Sequence, residues 1–135
     1  MHRAHDVLRF PFARSTPGIA RTKLAGFLTM NEVASSHIDD ALIVLSEMLT
    51  NAVSHGRPGD DGTIEVSWSI AKGLLEISVR DHGEGNELAP IDFDNDSLSG
   101  RGLAIINQIT DRWWVDLDGG TRVNAELSLG DARHA

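Results

Sequence analysis

The N-terminal part of the chain combines a short alternating segment with a segment of helical periodicity. Residues 7–12 alternate apolar positions with polar residues or proline, which predicts an edge strand because Pro11 cannot donate a ladder hydrogen bond. Ser15-Thr16-Pro17 is typical of a helix start, and the following residues predict a helix that ends near Met30. Its apolar positions are Ile19, Leu24, Phe27 and Leu28.

A second helix has the strongest pattern in the chain, since its apolar residues recur every three or four positions between residues 38 and 52. Ser36 can cap its N-terminus, and Asp39 and Asp40 suit the positive end of the helix dipole. Gly56 then predicts its C-terminal stop. The apolar positions are Ile38, Ala41, Leu42, Leu45, Met48, Leu49 and Ala52.

After Gly56 the apolar pattern changes to the period of two that is typical of strands. Residues 63–70 and 75–79 alternate on either side of Lys72-Gly73 and predict a β-hairpin. Residues 81–102 show little regular pattern, and loops of that length are usually functional or disordered. A short helix over residues 103–109 and a hairpin of residues 112–117 and 121–129 complete the chain.

These elements predict a single domain of the α+β class, residues 1–135. The expected architecture is a two-layer sandwich in which helices cover one face of a mostly antiparallel sheet. A net charge of −8 disfavours direct binding to nucleic acid or to an anionic membrane. The sequence contains no cysteine and no apolar run of membrane-spanning length, so we expect a cytoplasmic protein without disulfides or thiol catalysis.

Glu47 and Asn51 are one turn apart on the second helix and therefore share a face. A solvated helix face is the simplest interpretation of the pair. However, Ile43 and Val44 flank that face, and asparagine is a modest helix former. The amide oxygen of Asn51 is a hard ligand that suits Mg²⁺, and the carboxylate of Glu47 can take a proton from an attacking hydroxyl.

Asp81-His82-Gly83-Glu84-Gly85 directly follows a predicted strand. By itself it is most simply a glycine-rich turn. As a functional motif, it gives Asp81 the role of acceptor for an exocyclic amine, while the glycines let the backbone approach a flat ligand.

Gly100-Arg101-Gly102-Leu103 opens the predicted short helix. By itself it is most simply a flexible helix start. Backbone N–H groups at a helix N-terminus also bind anions, and glycines permit close approach of the anion. The sequence contains no P-loop motif, so a phosphate site here would be of another kind.

The order and spacing of these three motifs resemble the GHKL (Bergerat-fold) ATPases, and most closely the small serine-kinase anti-sigma factors of Gram-positive bacteria. The resemblance covers about residues 40–130, and the Gly119-Gly120-Thr121 turn is similar to the last motif of that family. The N box is matched by Glu47 and Asn51, the G1 box by Asp81, Gly83 and Gly85, and the G2 box by Gly100, Arg101, Gly102 and Leu103.

This resemblance implies a role for each matched position. Asn51 would coordinate the Mg²⁺ that bridges the ATP phosphates, and Glu47 would be the base that acts on a protein hydroxyl. Asp81 would accept the adenine amine with support from Thr121. The other matched positions would shape the pocket and its phosphate lid. The implied partners are a sigma factor, an antagonist protein phosphorylated on serine or threonine, and a second copy of the chain in a homodimer.

Two other functions fit parts of the sequence. The catalytic domain of a sensor histidine kinase would need a helical hairpin with a phosphoacceptor histidine, and none of the six histidines lies in one. Surface or capping positions are therefore expected for them. A module that only sequesters a partner is the second alternative, and the presence of both Glu47 and Asn51 favours chemistry over it.

The remaining observations concern the last hairpin and the loop before it. Trp113 and Trp114 are adjacent in a strand, so one should face the core and the other should be partly exposed. Asn124 stands where relatives tend to carry a larger apolar or aromatic residue, which affects strand packing more than nucleotide binding. Six acidic residues and no lysine or arginine lie from Asp81 to Gly100. ATP would therefore be held by Mg²⁺, backbone N–H groups and Arg101.

Overall fold

The computed structural model describes residues 4–83, 98–117 and 119–130, and within residues 98–103 it describes the backbone only. The order of elements in these ranges is β1 (Ala4–Pro11), α1 (Thr16–Met30), α2 (Ser35–His55), β2 (Thr63–Ala71), β3 (Leu74–Asp81), α3 (Leu98–Ile109), β4 (Arg112–Asp116) and β5 (Thr121–Ser128).

The strands form one sheet in the order β1-β2-β3-β5-β4, and every pairing in it is antiparallel. Apolar side chains from one face of this sheet form a common core with the helices, which includes Leu45, Trp68 and Ile106. The other face is open and carries mostly polar side chains. The predicted α+β sandwich is therefore confirmed, with β1 as the predicted edge strand.

Helix α1 has the predicted bounds, and the hydroxyl of Thr16 donates a hydrogen bond to the backbone oxygen of Pro11. This bond ties the helix start to the end of β1. Ile19 lies outside the buried stripe of this helix, because 45% of the residue is exposed. The buried stripe runs one position away from Ile19 and consists of Thr16, Ala20, Leu24 and Leu28.

Helix α2 starts one residue earlier than the predicted cap, so the assignment of Ser36 is wrong. The N-cap is Ala34, which has extended backbone and makes no side-chain capping bond. No acidic residue lies in the first turn, so Asp39 and Asp40 are too far along the helix to serve its N-terminal end as expected. Gly56 is the C-cap, as predicted.

Both hairpins form as predicted. Lys72 and Gly73 turn the chain between β2 and β3 with φ of 54° and 76°. Helix α3 differs from its predicted extent because it begins at Leu98, five residues before Leu103. Gly100 and Gly102 consequently lie inside the start of this helix instead of before it.

The last hairpin places its two tryptophans on opposite faces of the sheet, as predicted. Trp113 packs against the core, half-buried, and its Nε1 donates to Oδ1 of Asn107 at 3.0 Å. Trp114 lies on the open face, with the Arg112 guanidinium 4.4 Å above its ring.

Asn124 is almost completely buried on the same open face, with 2% of its surface exposed. Its Oδ1 accepts from the Ser78 hydroxyl at 2.7 Å, and its Nδ2 donates to Oδ2 of Asp116 at 3.1 Å. Hydrogen bonds to neighbouring strands therefore compensate for the absence of a large apolar side chain at this position.

Candidate functional site

Asp81 is the last residue of β3, and its carboxylate is fixed by the backbone around it. Only 1% of the residue is exposed. Its Oδ1 accepts from the backbone N–H of Gly83 at 2.6 Å and from that of Arg57 at 3.4 Å. Because these donors come from the turn after β3 and from the loop after α2, the carboxylate joins the two segments.

Three glycines from separate segments leave no room for a side chain beside Asp81. A Cβ atom at Gly56 would lie 2.4 Å from Cγ of Asp81, and one at Gly83 would lie 2.9 Å from its Oδ1. A Cβ at Gly120 would lie 2.4 Å from the backbone oxygen of Asp81. The absence of side chains lets the backbone at Gly56 and Gly83 approach the carboxylate and the backbone at Gly120 approach the carbonyl oxygen of Asp81.

Gly56 is a site residue that the sequence identified only as a helix stop. Its backbone is extended, with φ of −90°, so a left-handed C-cap does not explain the glycine. The close approach of its backbone to Asp81 explains why this position is a glycine. Sequence periodicity gives no distance between the end of α2 and the end of β3, and this contact could not be predicted from it.

Thr121 supports the turn after β3 from the neighbouring strand. It pairs directly with Asp81 in the β3–β5 register, and it is buried. Its hydroxyl donates to the carbonyl oxygen of Gly83 at 3.1 Å, while the N–H of His82 donates to the carbonyl oxygen of Arg57 at 2.9 Å. The Asp81–Gly83 turn is thus held from both sides.

Asn51 is buried on α2, with 6% of its surface exposed. The interpretation of its helix face as solvated is therefore wrong for this residue. Its Nδ2 has no hydrogen-bond partner in the described part of the chain. An unsatisfied buried amide costs about 1–3 kcal/mol, so a ligand that supplies the missing partner would remove a real penalty.

The surroundings of Asn51 fit a magnesium–phosphate ligand. Its amide can offer an oxygen to a hard cation and an N–H to a phosphate oxygen. Across residues 4–83, 98–117 and 119–130, no group of three or more histidine or carboxylate side chains is placed to hold a metal ion. The amide oxygen of Asn51 is a donor that suits Mg²⁺, which takes most of its ligands from water and phosphates.

Glu47 is half-buried, one turn before Asn51, and lines a groove of about 720 Å³ between α1 and α2. Arg14, Arg21 and Asp39 also line this groove. Nη1 of Arg21 donates to the Ser46 hydroxyl at 3.4 Å. Glu47 therefore borders an open groove instead of the closed core.

The G2 positions lie on the start of α3, and this helix packs against α2. The structure describes only the backbone of Gly100, Arg101, Gly102 and Leu103. Gly85 and the rest of residues 84–97 fall outside the described residues. The structure therefore brings together Gly56, Asp81, Gly83 and Thr121 at one end of the sheet. Asn51 lies on α2 five residues before Gly56, and Glu47 lies one turn before Asn51. None of the described helices is long and apolar enough to span a membrane.

The two-layer fold, with Asp81 at the end of its central strand and Asn51 on the adjoining helix, is the arrangement expected for a domain of the Bergerat class. Residues 13–126 match the model of the histidine kinase-like ATPase domain, and the chain belongs to this family.

Similar proteins come from several bacteria. The serine-protein kinase RsbW of Bacillus licheniformis is 32% identical, over 98% of this chain and 92% of that protein. The anti-sigma F factor of Halalkalibacterium halodurans is 30% identical over 79 residues, 58% of this chain and 54% of that protein. The crystal structure of the RsbU and RsbW domains of Rv1364c from Mycobacterium tuberculosis has the same fold. It gives a TM-score of 0.69 at 22% identity, over 91% of this chain and 32% of that one.

Proposed function

We propose that this protein is an ATP-dependent serine/threonine kinase of the anti-sigma type. It binds ATP with Mg²⁺, binds a sigma factor, and phosphorylates a hydroxyl of an antagonist protein in the cytoplasm. The observation that carries the proposal is the buried Asn51 amide, whose Nδ2 has no partner in the described chain and which lies one turn from Glu47. The relative named as a serine-protein kinase supports it, since that match covers nearly the whole chain.

Asp81 selects the nucleobase in this proposal. A carboxylate offers only acceptors, so it pairs with the exocyclic amine of adenine and repels the carbonyl that guanine presents at the equivalent position. The backbone N–H groups of Gly83 and Arg57 hold the carboxylate in place, and the glycines at positions 56, 83 and 120 leave the space around Asp81 free of side chains. Thr121 keeps the adjoining turn fixed through its bond to Gly83.

Asn51 holds the metal and phosphate end of the nucleotide. Bound Mg²⁺ supplies charge neutralisation for the phosphates, which phosphoryl transfer requires more than it requires a strong nucleophile. The residues around Asn51 exclude water from its amide, so its hydrogen bond to the nucleotide forms in a low-dielectric environment.

Glu47 acts on the protein substrate. The serine or threonine hydroxyl enters the groove between α1 and α2, and the Glu47 carboxylate takes its proton as the hydroxyl oxygen bonds to the γ-phosphorus. The bond between the γ-phosphorus and the bridging oxygen of ATP breaks, and ADP leaves with that oxygen.

Transfer of labelled γ-phosphate to the candidate antagonist tests this function. We expect Glu47→Gln to bind ATP like the wild type but to transfer phosphate about 10²–10⁴ times more slowly. Asp39→Asn is the matched control, because it changes another carboxylate that lines the same groove, and its rate should stay near that of the wild type.

Transfer by Glu47→Gln at the wild-type rate would show that Glu47 is not the base. A wild-type protein that binds the sigma factor and the antagonist without transferring phosphate would instead be a sequestering module.

A further inference from the structure

Arg80 is the residue of β3 that precedes Asp81, and its side chain lies on the other face of the sheet. Because side chains alternate along a strand, Asp81 lies on the helical face with Ile77 and Val79, whereas Arg80 lies half-buried on the open face. Its guanidinium nevertheless reaches a segment that borders the candidate site. Nη2 of Arg80 donates to the carbonyl oxygen of Gly119 at 2.8 Å.

Gly119 and Gly120 form the described part of the turn between β4 and β5, called the β4–β5 turn here. Their φ angles are 73° and 130°, values that glycine adopts readily and other residues rarely. Two adjacent glycines have many accessible backbone conformations, and fixing one of them costs conformational entropy. The turn therefore depends on contacts from outside to keep its position.

The β4–β5 turn packs directly against the end of β3. A Cβ atom at Gly120 would lie 2.4 Å from the backbone oxygen of Asp81 and 3.4 Å from Cα of His82. The next residue, Thr121, donates its hydroxyl to the carbonyl oxygen of Gly83. Gly83 in turn donates its N–H to the Asp81 carboxylate. The position of the turn therefore sets the position of residues 81–83, which the proposed function assigns to the adenine base.

Arg80 and Thr121 hold this turn from opposite faces of the sheet. Thr121 is directly opposite Asp81 in the β3–β5 register and is buried with it on the helical face. Arg80 acts from the open face, one residue earlier on β3. Among the residues that the structure describes, no other side chain donates a hydrogen bond to Gly119. Removal of the Arg80 guanidinium would therefore leave the turn restrained from one face.

The charges around Arg80 favour its contact with the turn. Glu65 on β2 and Arg122 on β5 are its neighbours in the register of the sheet. These two neighbours pair with each other across β3, with Nη2 of Arg122 3.7 Å from Oε2 of Glu65. The carboxylate opposite Arg80 is thus engaged by another arginine, whose like charge disfavours a position of Arg80 over the centre of the face. Arg80 forms no ion pair with a described residue, and the carbonyl of Gly119 accepts from it instead.

We propose that Arg80 is a positioning residue for nucleotide binding. It holds the β4–β5 turn through Gly119, and the turn keeps residues 81–83 in the geometry that accepts adenine. This inference rests on the proposed function, because it gives Arg80 a part in the binding of ATP. Arg80 acts through the turn and not on the nucleotide, since its side chain lies on the face of the sheet opposite to Asp81.

A restraint of this kind changes the fraction of molecules that are ready to bind ATP. When part of the population has a displaced turn, the apparent Kd rises by the inverse of the fraction that stays competent. The bond from Arg80 is charge-assisted but lies on a half-exposed side chain, so its loss should raise the Kd about fivefold. Bound ATP should return the turn to its position, because a ligand favours the state that it binds.

Isothermal titration of Arg80→Met with ATP and Mg²⁺ measures this effect. Methionine keeps an unbranched side chain on the sheet but has no hydrogen-bond donor. We expect its Kd for ATP to be about fivefold or more above that of the wild type. Arg112→Met is the matched control, because it removes an exposed arginine from β4 on the same face, at the other end of the sheet. This control should bind ATP like the wild type.

Amide hydrogen exchange separates a positioning role from a general loss of stability. The N–H groups of His82 and Gly83 donate to Arg57 and Asp81, so their exchange reports on the end of β3. In Arg80→Met they should exchange about fivefold or more faster than in the wild type, and ATP should slow them again. The N–H of Leu129, bonded to Gly73 at the far end of the sheet, should keep its rate. A merely structural role would accelerate exchange at both ends and leave the Kd of the folded protein unchanged.

Arg80→Lys gives a graded second variant. It keeps the positive charge but lacks the outer guanidinium nitrogen that reaches Gly119, so its Kd for ATP should lie between those of the wild type and Arg80→Met. Circular dichroism establishes that each variant is folded. Arg80→Lys repeats both measurements, with smaller expected changes, if Arg80→Met is not folded.

Two results would overturn the role of Arg80 and leave the proposed function intact. The first is ATP binding by Arg80→Met with the wild-type Kd. The second is weaker binding of ATP without faster exchange at His82 and Gly83, which would place the effect of Arg80 outside the β4–β5 turn. A wild type that binds no ATP would instead contradict the proposed function, and with it the role of Arg80 in nucleotide binding.

Discussion

The carboxylate of Asp81 shows how strongly the site depends on the position of single atoms. Its Oδ1 is fixed by two backbone donors, and the three glycines around it leave no space for a Cβ atom. Geometry of this kind makes each of these positions sensitive to the smallest possible substitution. Substitutions at these glycines change the site without removing a side chain from the core, because glycine has no side chain.

Gly120→Ala is expected to destabilise the protein and weaken ATP binding. The residue has φ of 130°, which an alanine rarely adopts, and its Cβ would lie 2.4 Å from the backbone oxygen of Asp81. Strain of this kind costs about 1–3 kcal/mol, measurable as a lower free energy of unfolding in urea. Gly26→Ala is the control, because that glycine is inside α1 with open space around it, and the substitution should stabilise by about 0.5–1 kcal/mol. Equal effects of the two substitutions would contradict the cage around Asp81.

Asp81→Asn is expected to lower ATP affinity at least about tenfold and to reduce the preference for ATP over GTP. The amide can keep the acceptor that Gly83 uses, but it replaces the second carboxylate oxygen with a donor. Calorimetric titration with both nucleotides measures this preference. Asp6→Asn, a change to a carboxylate on the edge strand β1, should alter neither affinity. Unchanged selectivity in Asp81→Asn would remove Asp81 from base recognition.

Residue types and spacing indicated candidate site residues but not how they pack. Glu47, Asn51 and Asp81 became candidates through the order and spacing of three motifs, because each motif by itself is most simply structural. The burial of Asn51 and the contact between Gly56 and Asp81 depend on how α2 lies against β3. Both features are tertiary contacts, and local sequence patterns do not specify tertiary contacts.

At the scale of elements, the loop between α2 and β2 links the two motifs of the site. Arg57 donates to Asp81 from the start of this loop, and Asp61 holds its end. The Asp61 carboxylate accepts from the hydroxyl and the N–H of Thr63, at 2.6 and 3.1 Å, and pairs with Arg9 at 3.2 Å. The hydrogen bond from the Thr63 side chain is the main cause that lowers the pKa of Asp61 below its ordinary value of 3.8.

This pKa shift predicts a pH-dependent effect of Asp61→Asn. A carboxylate whose pKa is lower in the folded state adds stability above its unfolded pKa, and that stability is lost as the pH falls through its folded pKa. The variant should therefore be slightly less stable than the wild type at pH 7 and should approach it below about pH 3. Urea midpoints at the two pH values measure the difference, with Asp60→Asn as the control. A variant as stable as the wild type at neutral pH would show that Asp61 does not anchor the loop.

Hydrophobic periodicity predicted the elements well where burial decides structure. Helix α1 and both hairpins have nearly the predicted bounds, because their apolar positions face one common core. The predicted boundaries are wrong at helix ends, where burial does not determine the first residue of the helix. The N-cap of α2 is Ala34 instead of Ser36, and α3 starts before the predicted glycines, because neither position is fixed by an apolar residue.

At the scale of the whole molecule, the two layers of the fold differ in chemical character. The helical side carries Glu47, Asn51 and the groove between α1 and α2. The open face of the sheet carries charged side chains and the buried Asn124, a polar residue that this face tolerates because Ser78 and Asp116 satisfy its hydrogen bonds.

The dependence of ATP binding on Mg²⁺ tests the central claim most directly. Isothermal titration of the wild type with ATP, in the presence of Mg²⁺ and again with a chelator, should show binding that is at least about tenfold tighter with the metal. Asn51→Ala should bind ATP with the same low affinity under both conditions, whereas Asn31→Ala, which changes an exposed amide at the end of α1, should behave like the wild type. A wild type that binds no ATP, or an Asn51→Ala variant that keeps the full effect of Mg²⁺, would contradict the account.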